Sequence, residues 1–231
     1  MNKHKVCYNI FHIDGLGESS TERKEIYNKV ISFLDGKIDR LYTESIHIKN
    51  QEDYQNFCEN VLDLKSRVKY LYKPGEIGLW ASSLVAINNF LESDYEVLVL
   101  MEDDIEIFNN FDLLLYEYIN LLPEDWDIFS YYVHENQYFN FDKTYGDQEV
   151  VPTYQNWSTL CWLLTKSGAK KMIKDIKNNG IIGPIDWYIF HNKEKFNSYT
   201  ISPTARKGCA LNALYSTIQA EDRTISPKEQ Q

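Results

Sequence analysis

Apolar positions along this chain follow two periods, and the two alternate. Residues 6–13, VCYNIFHI, form a β-branched and aromatic run closed by Asp14-Gly15, which predicts a first strand. The following SSTERKEIYNKVISFLDG switches to helical spacing, with Ile26, Tyr27, Val30, Ile31 and Leu34 on one face. Ser19 and Glu22 form a candidate capping box for it, and Gly36 can close it. IDRLYTESI predicts a second strand, and NQEDYQNFCENVLDLKS a second amphipathic helix through Tyr54, Phe57, Cys58, Val61 and Leu62.

The alternation continues. Residues 75–93 place Ile77, Trp80, Leu84, Ile87 and Leu91 at helical spacing. The run YEVLVLM then lacks polar alternation, as does a central strand buried on both faces. FDLLLYEYINLL predicts a helix ended near Pro123, and residues 126–133 a further strand. Residues 134–156 are polar, aromatic and without period, which predicts a long loop. LCWLLT predicts a strand leading into a lysine-bearing helix, and GPIDWYIFH opens a short helix. Strand and helix in turn predict an α/β sandwich with a mostly parallel central sheet flanked by helices. One domain is expected over residues 1–220, with 221–231 as a tail.

Composition adds limits. A chain of 231 residues suits one such domain with a substantial core. Aromatics reach 14%, with 17 Tyr, which suits either a Tyr-rich core or a surface for polar ligands such as sugars. A net charge of −10 opposes a dedicated nucleic-acid binder. A local basic stretch exists at Lys166, Lys170, Lys171, Lys174 and Lys177, read as a solvated helix face or, alternatively, a phosphate site. Cys7, Cys58, Cys161 and Cys209 lack metal spacing, and reduced buried thiols are expected. The N-terminal apolar run, broken by Asn9, His12 and Asp14, is a poor signal peptide, and no stretch has the length of a transmembrane helix. A cytoplasmic protein is expected, with peripheral membrane contact left open.

One feature does not follow from folding alone. The buried run ends in Glu102, Asp103 and Asp104, with Glu106 two residues on. Ligands in open α/β sheets bind beyond the carboxyl ends of strands. Carboxylates grouped there suit Mn²⁺ or Mg²⁺, which prefer oxygen ligands. Such an ion would neutralise a diphosphate leaving group. An ordinary acidic turn after a strand is the alternative.

The segment GEIGLWASSLVAINNFLESDYEVLVLMEDDIEIF resembles the core signature of glycosyltransferase family 25, the lipopolysaccharide- and collagen-type β-glycosyltransferases. TLCWLLTKSGAKKMI and GPIDWYIF are similar to two further motifs of that family, in the same order. Together they cover residues 75–190, about half of the chain. The resemblance implies a single GT-A-like (Rossmann-like) domain, a nucleotide-sugar donor such as a UDP-sugar, and inverting hexosyl transfer to a glycan or glycolipid hydroxyl. It implies Asp104 as metal ligand. Glu102 and Asp103 would be further ligands or donor contacts. The proton-accepting base would be Asp186, whose alternative is a helix N-cap. Trp187 would stack on an acceptor sugar, or pack.

Gly75, Glu76 and Gly78 match the family's Gly-Glu-Ile-Gly. Glycine allows close backbone approach, and Glu76 would reach the donor sugar or cap its own helix. The first strand of a GT-A domain leads into the nucleotide loop, which points to Ile10, His12, Asp14 and Arg23. Arg206 and Lys207 would close over the diphosphate, or form surface salt bridges. The chain departs from the family at Ser82-Ser83, where a Ser-His is usual. His134 and His191 follow predicted elements, but a lone His is more often structural. Two other readings stay open: transfer to a modified DNA base, as in some viral enzymes, and a non-catalytic sugar-binding derivative.

Overall fold

The computed structural model describes residues 4–15, 20–50, 52–53, 55–56, 73–132, 148–153, 158–181, 183–191, 194–202 and 205–211. In chain order the elements are β1 (Val6–Phe11), α1 (Ser20–Leu34), β2 (Asp39–Arg40), α2 (Pro74–Glu92), β3 (Val97–Glu102), β4 (Ile105–Ile107) and α3 (Phe111–Leu121). Then come β5 (Ile128–Ser130), β6 (Val150–Pro152), β7 (Cys161–Thr165), α4 (Lys166–Asn179), α5 (Ile185–His191), β8 (Ser198–Ile201) and β9 (Cys209–Leu211).

Seven strands form the central sheet in the order β2-β1-β3-β7-β5-β8-β6, and β4 pairs with β9 in a separate ribbon. The pairs β1–β2, β1–β3 and β5–β8 are parallel. β7 runs antiparallel between β3 and β5, and β6 antiparallel to β8. Five of the seven strands therefore point one way, as the α/β reading expects.

The run VLVLME is buried along its first five residues, and alternation divides it between two cores. Leu98 and Leu100 join Trp80, Leu84, Ile87, Met172 and Ile176 beneath α2 and α4. Val97, Val99 and Met101 join Ile26, Val30, Leu34, Leu114 and Tyr118 beneath α1 and α3. A strand buried on both faces needs apolar residues at every position, which explains the missing period of two.

Local signals set the helix ends. Pro74 opens α2, and the Glu76 side chain accepts the Lys73 backbone N–H at 2.9 Å. Thr165 Oγ1 accepts the Gly168 N–H at 3.1 Å to cap α4, and Gly180, at φ 77°, ends it. Gly36 follows α1 at φ 70°, as expected. A Cβ at Gly78 would lie 2.9 Å from the Ile46 carbonyl oxygen, so glycine there lets α2 sit directly on the segment after β2.

Several expectations change. The second strand is only Asp39–Arg40, and a strand at Val150–Pro152 occupies part of the expected loop. Such short strands carry too few residues for a period and exist through their neighbours: Val151 pairs with Thr200. Asp186 is not an N-cap, because α5 begins at Ile185 and Asp186 lies in its first turn. Of the lysine stretch, Lys170, Lys171, Lys174 and Lys177 are exposed, as a solvated helix face expects, while two of the five lysines also make specific contacts. Lys166 Nζ donates to the Leu91 and Ser93 carbonyls, and Lys171 pairs with the fully buried Asp127. Cys7, Cys161 and Cys209 are free and buried, as expected. Ser19, Cys58, His134, most of the helix predicted after Asn50 and the 220/221 boundary fall outside the described residues.

Candidate active site

β1 and β3 are parallel with Phe11 opposite Glu102, so His12 and Asp103-Asp104 leave the sheet at one end. β7 is antiparallel to β3 and begins with Cys161 opposite Met101, which brings Thr159 and Leu160 to that end too. Thr159 Oγ1 donates to Glu102 Oε1 at 2.6 Å, and the Glu102 N–H donates to the Leu160 carbonyl at 3.0 Å. From the first turns of α1 comes Arg23, 6% exposed.

These groups sort the three acids. Asp103 is held on both oxygens: Oδ1 accepts from Arg23 Nη1, and Oδ2 lies 2.7 Å from His12 Nδ1. The other ring nitrogen of His12 is 3.1 Å from Asp14 Oδ1, and Asp14 also pairs with Lys24 at 2.9 Å. The imidazole stacks on Tyr27, with centroids 4.5 Å apart and planes at 25°. Asp104, 5% exposed, has Oδ2 at 3.5 Å from Arg23 Nη2, while its buried Oδ1 has no hydrogen-bond partner among the described residues.

Electrostatics follow this division. Burial pushes the Glu102 carboxyl up to about 8, and the negative charges of Asp104, Asp103 and Asp186 push the same way against the Thr159 hydrogen bond. Burial also raises Asp104, opposed by Arg23 and reinforced by Asp103. The half-buried Glu102 and the buried Asp104 thus stand in electrostatic conflict, a condition that a bound cation would relieve. Among the described residues no group of three His, Cys, Asp or Glu is arranged to hold a metal ion. The unpartnered Asp104 oxygen beside Glu102 fits a site with two protein ligands, completed by water and phosphate oxygens, as Mg²⁺ commonly uses. Asp103 is engaged on both oxygens, by Arg23 and by His12.

Beside the acids a cleft encloses about 700 Å³ of empty space, including its open mouth. Phe11, His12, Arg23, Ile46, Ile48, Gly75, Gly78, Ser82, Glu102 and Asp103 line it. The expected residues His12, Arg23, Gly75, Gly78, Glu102 and Asp103 therefore converge. Ile10 does not, because strand alternation turns it into the core beneath α1 and presents Phe11 instead. Glu76 caps its helix and does not line the cleft. Asp186 is half-buried and near enough to raise the Glu102 carboxyl; its Oδ1 accepts the Trp187 N–H at 2.7 Å. Trp187 packs against Gly183, where a Cβ would meet its ring at 2.8 Å. Arg206 pairs with Glu117 at 2.6 Å and Glu149 at 3.2 Å, the salt-bridge alternative, and neither it nor Lys207 lines the cleft. Ser82 holds its neighbours: it accepts the Ile46 N–H at 2.8 Å and donates to the Gly78 carbonyl at 2.7 Å.

Thr159, Tyr27, Lys24 and Ser45 were not legible as site residues. Ser45 accepts the His12 N–H at 2.9 Å, and Thr159 reaches Glu102 only because β7 reverses beside β3. No sequence period encodes either contact.

Comparison with known proteins now bears on this site. Residues 16–189 match the family described as Glycosyltransferase family 25 (LPS biosynthesis protein). No curated protein matches the chain in sequence. A glycosyltransferase involved in glycosylation of the major capsid of PBCV-1 has a similar structure at 11% identity and TM-score 0.50, over 93% of this chain and 95% of that one. A197 from STIV aligns at 12% identity and TM-score 0.42, over 91% and 95%, respectively. Mouse xyloside xylosyltransferase 1 aligns at 13% identity and TM-score 0.38, over 82% and 69%. At such identity the PBCV-1 likeness speaks for the fold alone. The match over three motifs and most of the chain carries the assignment: this protein belongs to glycosyltransferase family 25 and is a sugar transferase.

Proposed function

We propose that the protein is a metal-dependent, inverting hexosyltransferase that takes its sugar from a nucleotide-diphosphate donor, in first place a UDP-sugar. A hydroxyl of a glycan or of a lipopolysaccharide-type glycolipid is the proposed acceptor. The observation that carries this reading is the end of β3, where Glu102 lines the cleft together with His12, Arg23, Gly75 and Gly78, and the buried Asp104 keeps an oxygen without a hydrogen-bond partner among the described residues.

Glu102 and Asp104 would hold Mn²⁺ or Mg²⁺. The ion would neutralise charge on the leaving diphosphate. The cleft beside them, with apolar walls at Phe11, Ile46 and Ile48, suits a nucleoside and keeps water from the reacting carbon. Gly75 and Gly78 line the cleft at the start of α2. Asp186 would accept the proton of the acceptor hydroxyl as its oxygen attacks the anomeric carbon. The bond from that carbon to the diphosphate breaks, and the nucleoside diphosphate carries away the electron pair. Trp187 would give the acceptor an apolar face.

The test is a thermal-shift series of nucleotide sugars with and without Mn²⁺, since a ligand of the native state raises Tm by mass action. A rise with one UDP-sugar, dependent on Mn²⁺, is the expected result and identifies the donor for transfer assays. A series without any response removes this reading.

A further inference from the structure

We propose that Asp103, although it lines the cleft, is not a ligand but an internal anchor for Arg23 and His12, which leaves Glu102 and the unpartnered oxygen of Asp104 for the ion. This inference deepens the proposed function and rests on its two-carboxylate metal site.

Geometry separates the acids. Asp103 is bonded on Oδ1 by Arg23 and on Oδ2 by His12. His12 cannot easily turn away, because it is stacked on Tyr27 and bonded beyond to Asp14. Arg23 is 6% exposed and lies along both Asp103 and Asp104, with the shorter contact to Asp103. A buried guanidinium without that anchor would move fully onto Asp104, the carboxylate that a cation needs.

Charge gives the second argument. Glu102, Asp103 and Asp104 carry three negative charges when ionised, and Arg23 returns one positive charge. Two remain on the triplet, with Asp186 adding to them, a charge that favours a divalent ion. Arg23 and Asp103 together therefore act as a neutral positioning pair beside the ligands.

The experiment is calorimetric titration of the whole protein with Mn²⁺ alone, together with urea unfolding, on Asp103→Asn, Arg23→Gln and the double variant. Asp103→Asn releases Arg23 toward Asp104 and should weaken Mn²⁺ binding about tenfold or more. Adding Arg23→Gln should restore affinity to within about threefold of the parent, because the two ligands and their charge return. Were Asp103 a ligand, the double variant would bind as poorly as Asp103→Asn, and the proposal would fall. Unfolding gives an independent readout. Arg23→Gln strands a buried carboxylate and should destabilise, and adding Asp103→Asn should recover most of that loss. Additive losses would overturn the anchor. If the parent protein binds no Mn²⁺, the metal reading fails, while the unfolding cycle still decides whether Arg23 and Asp103 form a pair.

Discussion

Two carboxylate clusters in this molecule show what a settled site and an unsettled one look like. Asp175, on α4, accepts hydrogen bonds from Tyr188 at 2.5 Å, Lys195 at 2.9 Å and Asn179 at 2.8 Å. Burial would raise its pKa, but these three donors outweigh burial and hold it below the ordinary carboxylate range. The half-buried Glu102 and the buried Asp104 are both raised, by burial first and by neighbouring negative charge second, with too few donors to offset it. The first arrangement stabilises the fold and ties α4 to α5. The second costs stability in the ligand-free protein, and such a cost persists where function requires the arrangement. The lesson is that burial alone does not set the state of an acid; the donors that reach it do.

Breaking the unsettled cluster should have the largest effect on chemistry. Asp104→Ala is expected to lower transfer by about 10³-fold or more while the far-UV spectrum stays native. Full activity would remove the metal assignment. Next comes Asp186→Asn, expected to lower kcat by about 10²–10⁴-fold with donor affinity retained, as measured by single-turnover transfer and donor titration. An unchanged rate would dismiss Asp186 as the base.

Breaking the settled cluster should move stability instead. Asp175→Ala strands the buried Tyr188 hydroxyl and is expected to cost about 1–3 kcal/mol in urea unfolding. A variant as stable as the parent would end the comparison.

The smallest effect is a difference in pH response. Glu102 has its folded pKa raised from 4.5 to about 8, so the folded state binds that proton more tightly than the unfolded chain does. Its contribution is most favourable below about pH 4.5 and is lost as pH rises toward 8. Asp175 has the opposite sign: its contribution is present above its ordinary pKa of 3.8 and is lost as pH falls through the lowered value. Metal-free Glu102→Gln should therefore flatten the decline of Tm between pH 5 and pH 8, gaining about 2–4 °C at the upper end per kcal/mol recovered. The acid limb, where Asp175 titrates, should not change. A parallel decline in both proteins would show that Glu102 does not titrate in that window.

Much of this was legible before folding. The helices α1, α2, α3 and α4 and the strands β1 and β3 follow from long runs of consistent period. The acid triplet at the end of β3 and the three motifs of the family are also plain in one dimension. Of the short strands, β2 and β5 fall within runs read as strands, but β6 and β9 hold too few residues for a pattern and exist through pairing with β8 and β4. The reversal of β7 was equally hidden. CWLLT reads the same in either direction, yet its direction is what delivers Thr159 to Glu102.

The sequence by itself determined that three acids stand together after a buried strand and that an arginine and a histidine follow the first one. Only the tertiary structure decided which acid each would meet. Adjacent carboxylates are chemically near-equivalent along a chain, and what separates them is the charge that reaches each in space. Arg23 and Asp103 lie 80 positions apart and His12 and Asp103 lie 91 apart; the parallel register of β1 with β3 brings them together. That register leaves Asp103 paired on both oxygens and one Asp104 oxygen without a partner among the described residues, because hydrogen bonds and ion pairs act over a few ångströms whatever the distance along the chain.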